Sequence, residues 1–281
     1  MKKMKKAAAF FLAAAMLLSL SACGSFETKM AKAASKMEKL NSYHMSMSMP
    51  MSMSMSILGQ DVNMDMDMGW ELDIRKEPMA AGGTMTVSVL GVSQELPFYM
   101  EKVGEEYKTY INTGDGWTAK TVSAGKQPFQ LNALGSLALL AKVGKSFSQI
   151  GTETVSGSEA TRFDGVIEGE LVAGALEMSG ALSALTEALG TELSTEELAN
   201  LDGIPTSIWI DNKSGMLVRY DMDMAEVVRS LSAGLIDGLM EEYGLGNMDV
   251  DLSISSLKTS VLLSDFDRID EIVIPDEARA A

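Results

Sequence analysis

The residues with the most distinctive chemistry are methionines, and their spacing is regular. Met45, Met47, Met49, Met51, Met53 and Met55 fall two residues apart, with Ser46, Ser48, Pro50, Ser52, Ser54 and Ser56 between them. Met64, Met66 and Met68 repeat the pattern and pass it to Trp70, Leu72 and Ile74, against Asp65, Asp67, Gly69, Glu71 and Asp73. Three chemistries compete for such a stripe. Thioether sulfur is a soft ligand that selects Cu(I). Met is also unbranched and polarizable, so a Met-lined surface can repack around apolar ligands of different shape. The third reading is a filled core without a ligand, because apolar stripes at strand spacing usually face inward.

Copper fits the surroundings least well. The chain has one histidine, His44, and strand parity places it on the Ser face, opposite Met45 and Met47. Met64, Met66 and Met68 share their face with Trp70 and Leu72, which reads as burial, so no metal site is expected. The pairs Asp65/Asp67 and Asp221/Asp223 have the alternation of a solvated strand face, not the loop cage that Ca²⁺ requires. The chain has no G-x-S-x-G, no HExxH and no phosphate-binding glycine loop. Among 39 Asp and Glu residues nothing selects two as a glycosidase pair. Neither a catalytic residue nor a cofactor is expected.

A period of two is the period of a strand. The two Met runs therefore form a hairpin through the turn residues Leu58-Gly59-Gln60-Asp61-Val62-Asn63, with one apolar and one Ser/Asp face. Ahead of it, Phe26, Met30, Ala33, Met37 and Leu40 have helical spacing over 25–41. Strands follow at 79–90 (Met85, Val87 and Val89 against Thr84, Thr86 and Ser88), 97–102, 106–112 and 116–122. Further on come a hairpin over 147–156 and 159–167, a second over 204–210 and 216–224, and a closing strand or two within 248–264. Helical composition marks 127–145, 168–200 and 225–243, and the tail after Pro275 reads as loose. The sum is an α+β layout: about ten antiparallel strands with helices segregated to one side as covers.

The first residues read as an address. Lys2, Lys3, Lys5 and Lys6 precede an apolar run too short for an ordinary membrane span, ending in Leu20-Ser21-Ala22-Cys23. This resembles the lipobox of bacterial lipoproteins, which implies cleavage after residue 22, lipidation of Cys23, and a cell-membrane anchor on the extracytoplasmic face. Cys23 is the only cysteine, so there is no disulfide to place. The leader holds basic residues and no acidic ones, so the remainder is more acidic than the whole-chain net charge of −16. Such a surface argues against nucleic acid and against lying flat on anionic lipid. With 46% hydrophobic residues and no linker-like boundary, 23–281 reads as one domain.

A lipobox, a short helix running into LNSYHMSMSM, Trp117-Thr118 between strand pairs, and IWIDNKSGMLVRYDMDM after a helical insertion together resemble the LolA/LppX-type lipoproteins. The hairpin over 206–224 is the most specific piece, although Asn212 intrudes before Lys213. The resemblance implies a strongly curved antiparallel sheet, a half-open β-barrel whose concave apolar face is covered by helices and holds acyl chains. It carries no catalytic residues. The chain departs from LolA in its larger mid-chain helices and its 23 methionines. The expected ligand-binding surface is Met47, Met49, Met51, Met53, Met64, Met66, Met68, Trp70, Met85, Val87 and Met222, with 168–190 and 225–243 as a lid. The expected partner is a hydrophobic small molecule or lipid, bound by a monomer. A ligand-free interaction or sensor lipoprotein is the alternative.

Overall fold

The computed structural model describes residues 25–57, 60–123, 146–168, 171–178, 201, 203–230 and 250–281. In chain order the elements are α1 (Phe26–Glu38), β1 (Ser42–Ile57), β2 (Gln60–Lys76), β3 (Met79–Val89), β4 (Val92–Val103), β5 (Glu106–Asn112) and β6 (Trp117–Ser123). Then follow β7 (Ser148–Val155), β8 (Ser158–Ile167), α2 (Leu171–Met178), β9 (Ile204–Asp211), β10 (Leu217–Asp223), β11 (Val250–Ser264) and α3 (Asp276–Arg279). Residues 225–230 are also helical.

All eleven strands described belong to one antiparallel sheet, ordered β6-β5-β4-β3-β2-β1-β11-β10-β9-β8-β7. Two meanders run outward from the middle, and β11 joins them by pairing with β1 on one side and β10 on the other. Among the described residues β6 and β7 stand at opposite edges, so the sheet is open.

The alternation seen in the sequence sets the register. β1 and β2 pair Met45 with Leu72, Met47 with Trp70, Met49 with Met68, Met51 with Met66 and Met53 with Met64. On the other face Ser52 Oγ donates to Asp65 at 2.7 Å. A one-residue slip would put every thioether on the polar face, so this register is strongly specified. Pro50 sits inside a central strand because its missing N–H falls where the β11 ladder is interrupted: the pairing passes from Ser48–Ser260 to Met51–Leu257. Gly83 answers a close approach, since a Cβ there would lie 1.9 Å from the Glu71 carbonyl oxygen.

α1 lies on the apolar face. Ser25 caps it, its Oγ accepting from the Thr28 N–H at 3.4 Å. Phe26, Met30, Ala33 and Met37 are buried in one core with Phe163, Ile208, Tyr220, Val261 and Leu263. Phe26 stacks on Phe147 at 4.5 Å and meets Phe163 edge-on at 5.2 Å. Val172, Ala175 and Leu176 of α2, and Val227 and Val228, join the same core. Of the expected covers, 127–145 lies outside the described residues. Of 168–200 the structure describes Glu168, which is not helical, and the helix 171–178; of 225–243 it describes the helical residues 225–230.

The tail differs from its expected looseness. From Asp265 the chain crosses the Ser/Asp face. Asp267 accepts from the Asn41 N–H at 2.7 Å, and Arg75 Nη1 donates to the Ile269 carbonyl at 3.0 Å. Ile274 and Ala278 are buried against Tyr110, with Tyr99, Trp117 and Ala119 packed alongside. Arg279 pairs with Glu101 at 3.1 Å. The cause is the outer face of β4–β6, which carries aromatic rings that a solvated face would leave wet.

Candidate functional site

The register assembles the methionines into rows that cross the sheet. Met85, Trp70, Met47 and Val261 form one row, continued by Tyr220, Ile208 and Phe163. Val87, Met68 and Met49 form the next. The β1–β11 register brings Thr259 beside Met49, and Thr259 pairs with Met222, which extends that row to β10. Val89, Met66, Met51 and Leu257 form a third, then Met64, Met53 and Ile254 a fourth. All eleven residues expected to bind a ligand therefore lie on one face, in adjacent rows.

Their burial is graded. Met47 is 6% exposed, and Met45, Trp70, Leu72 and Met222 are likewise buried. The Trp70 ring is held edge-on by Phe98 at 5.3 Å. Met49, Met51, Met53, Met64, Met66, Met68, Met85 and Val87 are only half-buried. Farther along the same face Val62 is 49% and Val92 75% exposed. One polar atom interrupts the apolar rows: Thr259 Oγ1 is buried without a hydrogen-bond partner among the described residues.

The opposite face is polar and internally paired. His44 bridges two carboxylates, Nδ1 to Asp73 at 2.8 Å and Nε2 to Glu71 at 3.0 Å. Burial works against charging the ring, but the hydrogen bonds and charges of Asp73 and Glu71 outweigh it and raise the pKa. Trp209 lies between the Arg162 and Arg219 guanidiniums, at 5.1 and 4.6 Å, and its indole N–H donates to Glu153 at 2.8 Å. A shallow groove of about 490 Å³ runs past Ser48, Pro50, Asp164, Arg219, Asp221 and Lys258. Its carboxylates are engaged: Arg162 Nε donates to Asp164 at 2.7 Å, and Arg219 Nη2 to Asp221 at 2.6 Å. Burial opposes ionisation of Asp164, yet the hydrogen bonds from Arg162 and Ser207 and the Arg162 charge lower its pKa. A carboxyl held ionised in this way is poorly suited to general-acid work. Among the described residues no three of His, Cys, Asp and Glu gather as a cation cage, and no helix is long and apolar enough to cross a membrane.

Sequence reasoning placed the Met face but missed three features. The helix packed on the apolar face is α1, which lies on β9 and β10 and whose Phe26 and Met37 are visible in the periodicity. The hydroxyl of Thr259 lies on that face because strand parity with Leu257 and Val261 puts it there. The exposed apolar positions Val62, Leu90 and Val92 had a local signal at one point, Leu90-Gly91 in a turn that normally takes Asn-Gly.

Residues 25–137 match the profile of a family of unknown function (DUF6612). The LolA/LppX resemblance read from the sequence recurs among solved structures. The chain is similar to the lipoprotein LppX of Mycobacterium tuberculosis, at 14% identity and a TM-score of 0.45 over 88% of this chain and 97% of that one. It is also similar to LprF from Mycobacterium bovis, at 12% identity and a TM-score of 0.47 over 91% and 100%. No curated protein matches the chain.

Proposed function

We propose that this chain is an exported lipoprotein that holds an acyl chain or similar apolar ligand against its methionine face. In this reading residues 1–22 are a cleaved leader. Cys23 carries the lipid anchor on the outer side of the cell membrane, and 23–281 form one domain that acts as a monomer. The observation that carries the proposal is the graded burial along one continuous face. Met45 and Met47 are packed as core, whereas Met49, Met51, Met53, Met64, Met66 and Met68 are half-buried in the same two strands. A face designed only as core would use Val, Ile and Leu, whose rotamers specify a single packing. Flexible thioethers instead adapt to a ligand. Binding is then driven by apolar burial, at about 25 cal/mol per Å², and selectivity between chains of similar length is modest.

The test is native mass spectrometry of the unanchored mature chain from a bacterial periplasm. Extra mass in the lipid range, removed by organic extraction, is the expected result. Met49→Asp with Met66→Asp should be secreted and folded but bare, and unchanged lipid content in that folded variant refutes the proposal. The burial of Met47, Trp70 and Met222 favours the rival reading of a ligand-free interaction module, which a bare wild-type mass would select.

A further inference from the structure

We infer that the Thr259 hydroxyl is the polar contact of the methionine face, and that it selects a neutral acyl ester over a plain hydrocarbon chain. The inference rests on the acyl-ligand reading above and names the chemical class of that ligand.

Thr259 is 0% exposed, and its Oγ1 has no hydrogen-bond partner among the described residues. The other buried Ser and Thr hydroxyls described are engaged. Thr206 Oγ1 donates to the Ile204 carbonyl at 3.0 Å, and Thr161 Oγ1 to Asn212 Oδ1 at 2.6 Å. Thr109 Oγ1 donates to the Lys120 carbonyl at 3.0 Å, and Ser42 Oγ accepts from the Ile269 N–H at 3.2 Å. An unpaired buried hydroxyl is costly, and Val has nearly the same shape without it. Leu257, Val261 and Leu263 are the apolar neighbours of Thr259 on the same face of β11. A hydroxyl that no group around it uses, in such company, is placed to serve a bound molecule.

Its position in the sheet fits that use. Along its row Val87, Met68 and Met49 are half-buried, whereas Thr259, Met222 and Thr206 are buried. Thr259 is thus the first closed position that a chain lying on the open half of the face would meet. The β1–β11 ladder is interrupted at the same place, next to Pro50, which has no N–H to give. Met49 stands beside that break, and a rotamer change of its unbranched side chain would bring a ligand atom to Oγ1.

Charge and hydrogen-bond count choose the ligand. Val87, Met68, Met49, Thr259 and Met222 include no cation, and strand parity puts Lys258 and Arg219 on the opposite face. An ionised carboxylate at Thr259 would be buried without a counter-charge, which is expensive. An ester carbonyl is neutral and only accepts, so one hydrogen bond from Oγ1 satisfies both groups. A free fatty acid instead keeps its carboxylate toward water over the open rows and gains nothing from Thr259.

The experiment measures displacement of a fluorescent fatty acid from the delipidated, unanchored mature chain by methyl dodecanoate, pentadecane and dodecanoate. The ester and the hydrocarbon are matched in non-hydrogen atoms. Thr259→Val should lower the affinity for the ester relative to the hydrocarbon about tenfold and leave the ratio of dodecanoate to hydrocarbon unchanged. It should also raise the urea midpoint of the ligand-free protein, because an unpaired hydroxyl is removed. Thr259→Ser keeps the hydroxyl and should keep the parent's ester preference. An unchanged ester-to-hydrocarbon ratio in Thr259→Val overturns the inference while leaving the acyl-ligand reading standing. A Thr259→Ser variant that matches Thr259→Val assigns the effect to packing and overturns it too, as does a lowered urea midpoint, which reveals a partner for the hydroxyl. If the parent binds neither the fluorescent fatty acid nor any of the three probes, the acyl-ligand reading falls and this inference with it.

Discussion

Three methionines on two adjacent strands should not respond alike to the same truncation. Met47 is 6% exposed and lies opposite Trp70 and Val261. Met47→Ala removes the Cγ, Sδ and Cε atoms from a closed site. At about 0.8 kcal/mol for each methylene-sized group the lost transfer is about 2 kcal/mol. The unfilled space adds about 1 kcal/mol, for a total of about 3 kcal/mol. Met51 and Met66 face each other two rows beyond Met47 and are half-buried. Their removed atoms already meet water in part, and the space left opens outward, so each Ala variant should cost about 1 kcal/mol in the delipidated protein. The difference of about 2 kcal/mol is roughly 30-fold in the folding equilibrium. Urea unfolding of delipidated variants measures it, provided the denaturant slope is unchanged. Repeating the titration with a saturating fatty acid adds the second half: ligand-dependent stabilisation persists in Met47→Ala and shrinks in Met51→Ala and Met66→Ala. Equal costs at all three positions, with no ligand dependence, would show that the outer rows are ordinary core.

Two further outcomes follow from the polar face. His44 has a raised pKa in the folded state, so folding binds its proton more tightly than the unfolded chain does. The stabilisation is fully present below the ordinary histidine value of 6.5 and disappears as pH rises through the higher folded-state value. Thermal unfolding against pH should show this decline in the parent, and His44→Gln should flatten it; a parallel decline in the variant assigns the effect elsewhere. Deleting 274–281 removes the buried Ile274 and Ala278 from Tyr110 and breaks the Arg279–Glu101 pair. The truncated chain should lose about 2–3 kcal/mol in urea, chiefly from the apolar contact, whereas an unstructured tail would leave the midpoint unchanged.

Local pattern carried the hairpins. The Met/Ser and Met/Asp alternation implied β1 and β2, their shared apolar face and their pairing, and the structure has each of these. It also gave α1 from Phe26, Met30, Ala33 and Met37. What local pattern does not contain is the partner of a strand distant in sequence. β11 reads only as a closing strand, yet it lies between β1 and β10 and joins the two meanders. Nor does alternation say how deeply each apolar residue is covered. Met47 and Met51 are equivalent in sequence, yet Met47 is buried while Met51 is half open. The tail was misread for a related reason: Ile274 and Ala278 are too sparse to form a periodic signal, and their burial depends on Tyr110 far upstream.

The division of the sheet into two chemistries would let one face serve as core and, on the proposed reading, as binding surface. The half formed by β8, β9 and β10 turns Phe163, Ile167, Ile204, Ile208, Ile210, Leu217 and Tyr220 inward, and these residues are buried, the half carrying Phe163 and Tyr220 lying against α1. β-branched and aromatic side chains have few rotamers, so this half specifies a single packing and anchors the fold. β1 and β2 oppose methionine to methionine in three consecutive apolar pairs, Met49–Met68, Met51–Met66 and Met53–Met64. Their backbones are held rigidly by ladders on both sides, while side-chain shape stays adjustable. Rearrangement can then occur without disturbing register, because register is fixed by the face and not by which rotamer fills it. If the outer rows were stiffened with Leu and Ile at Met49, Met51, Met66 and Met68, the sheet should become more stable and bind fewer kinds of apolar ligand. That coupled change is what distinguishes a surface kept adaptable for ligands from one that is merely under-packed.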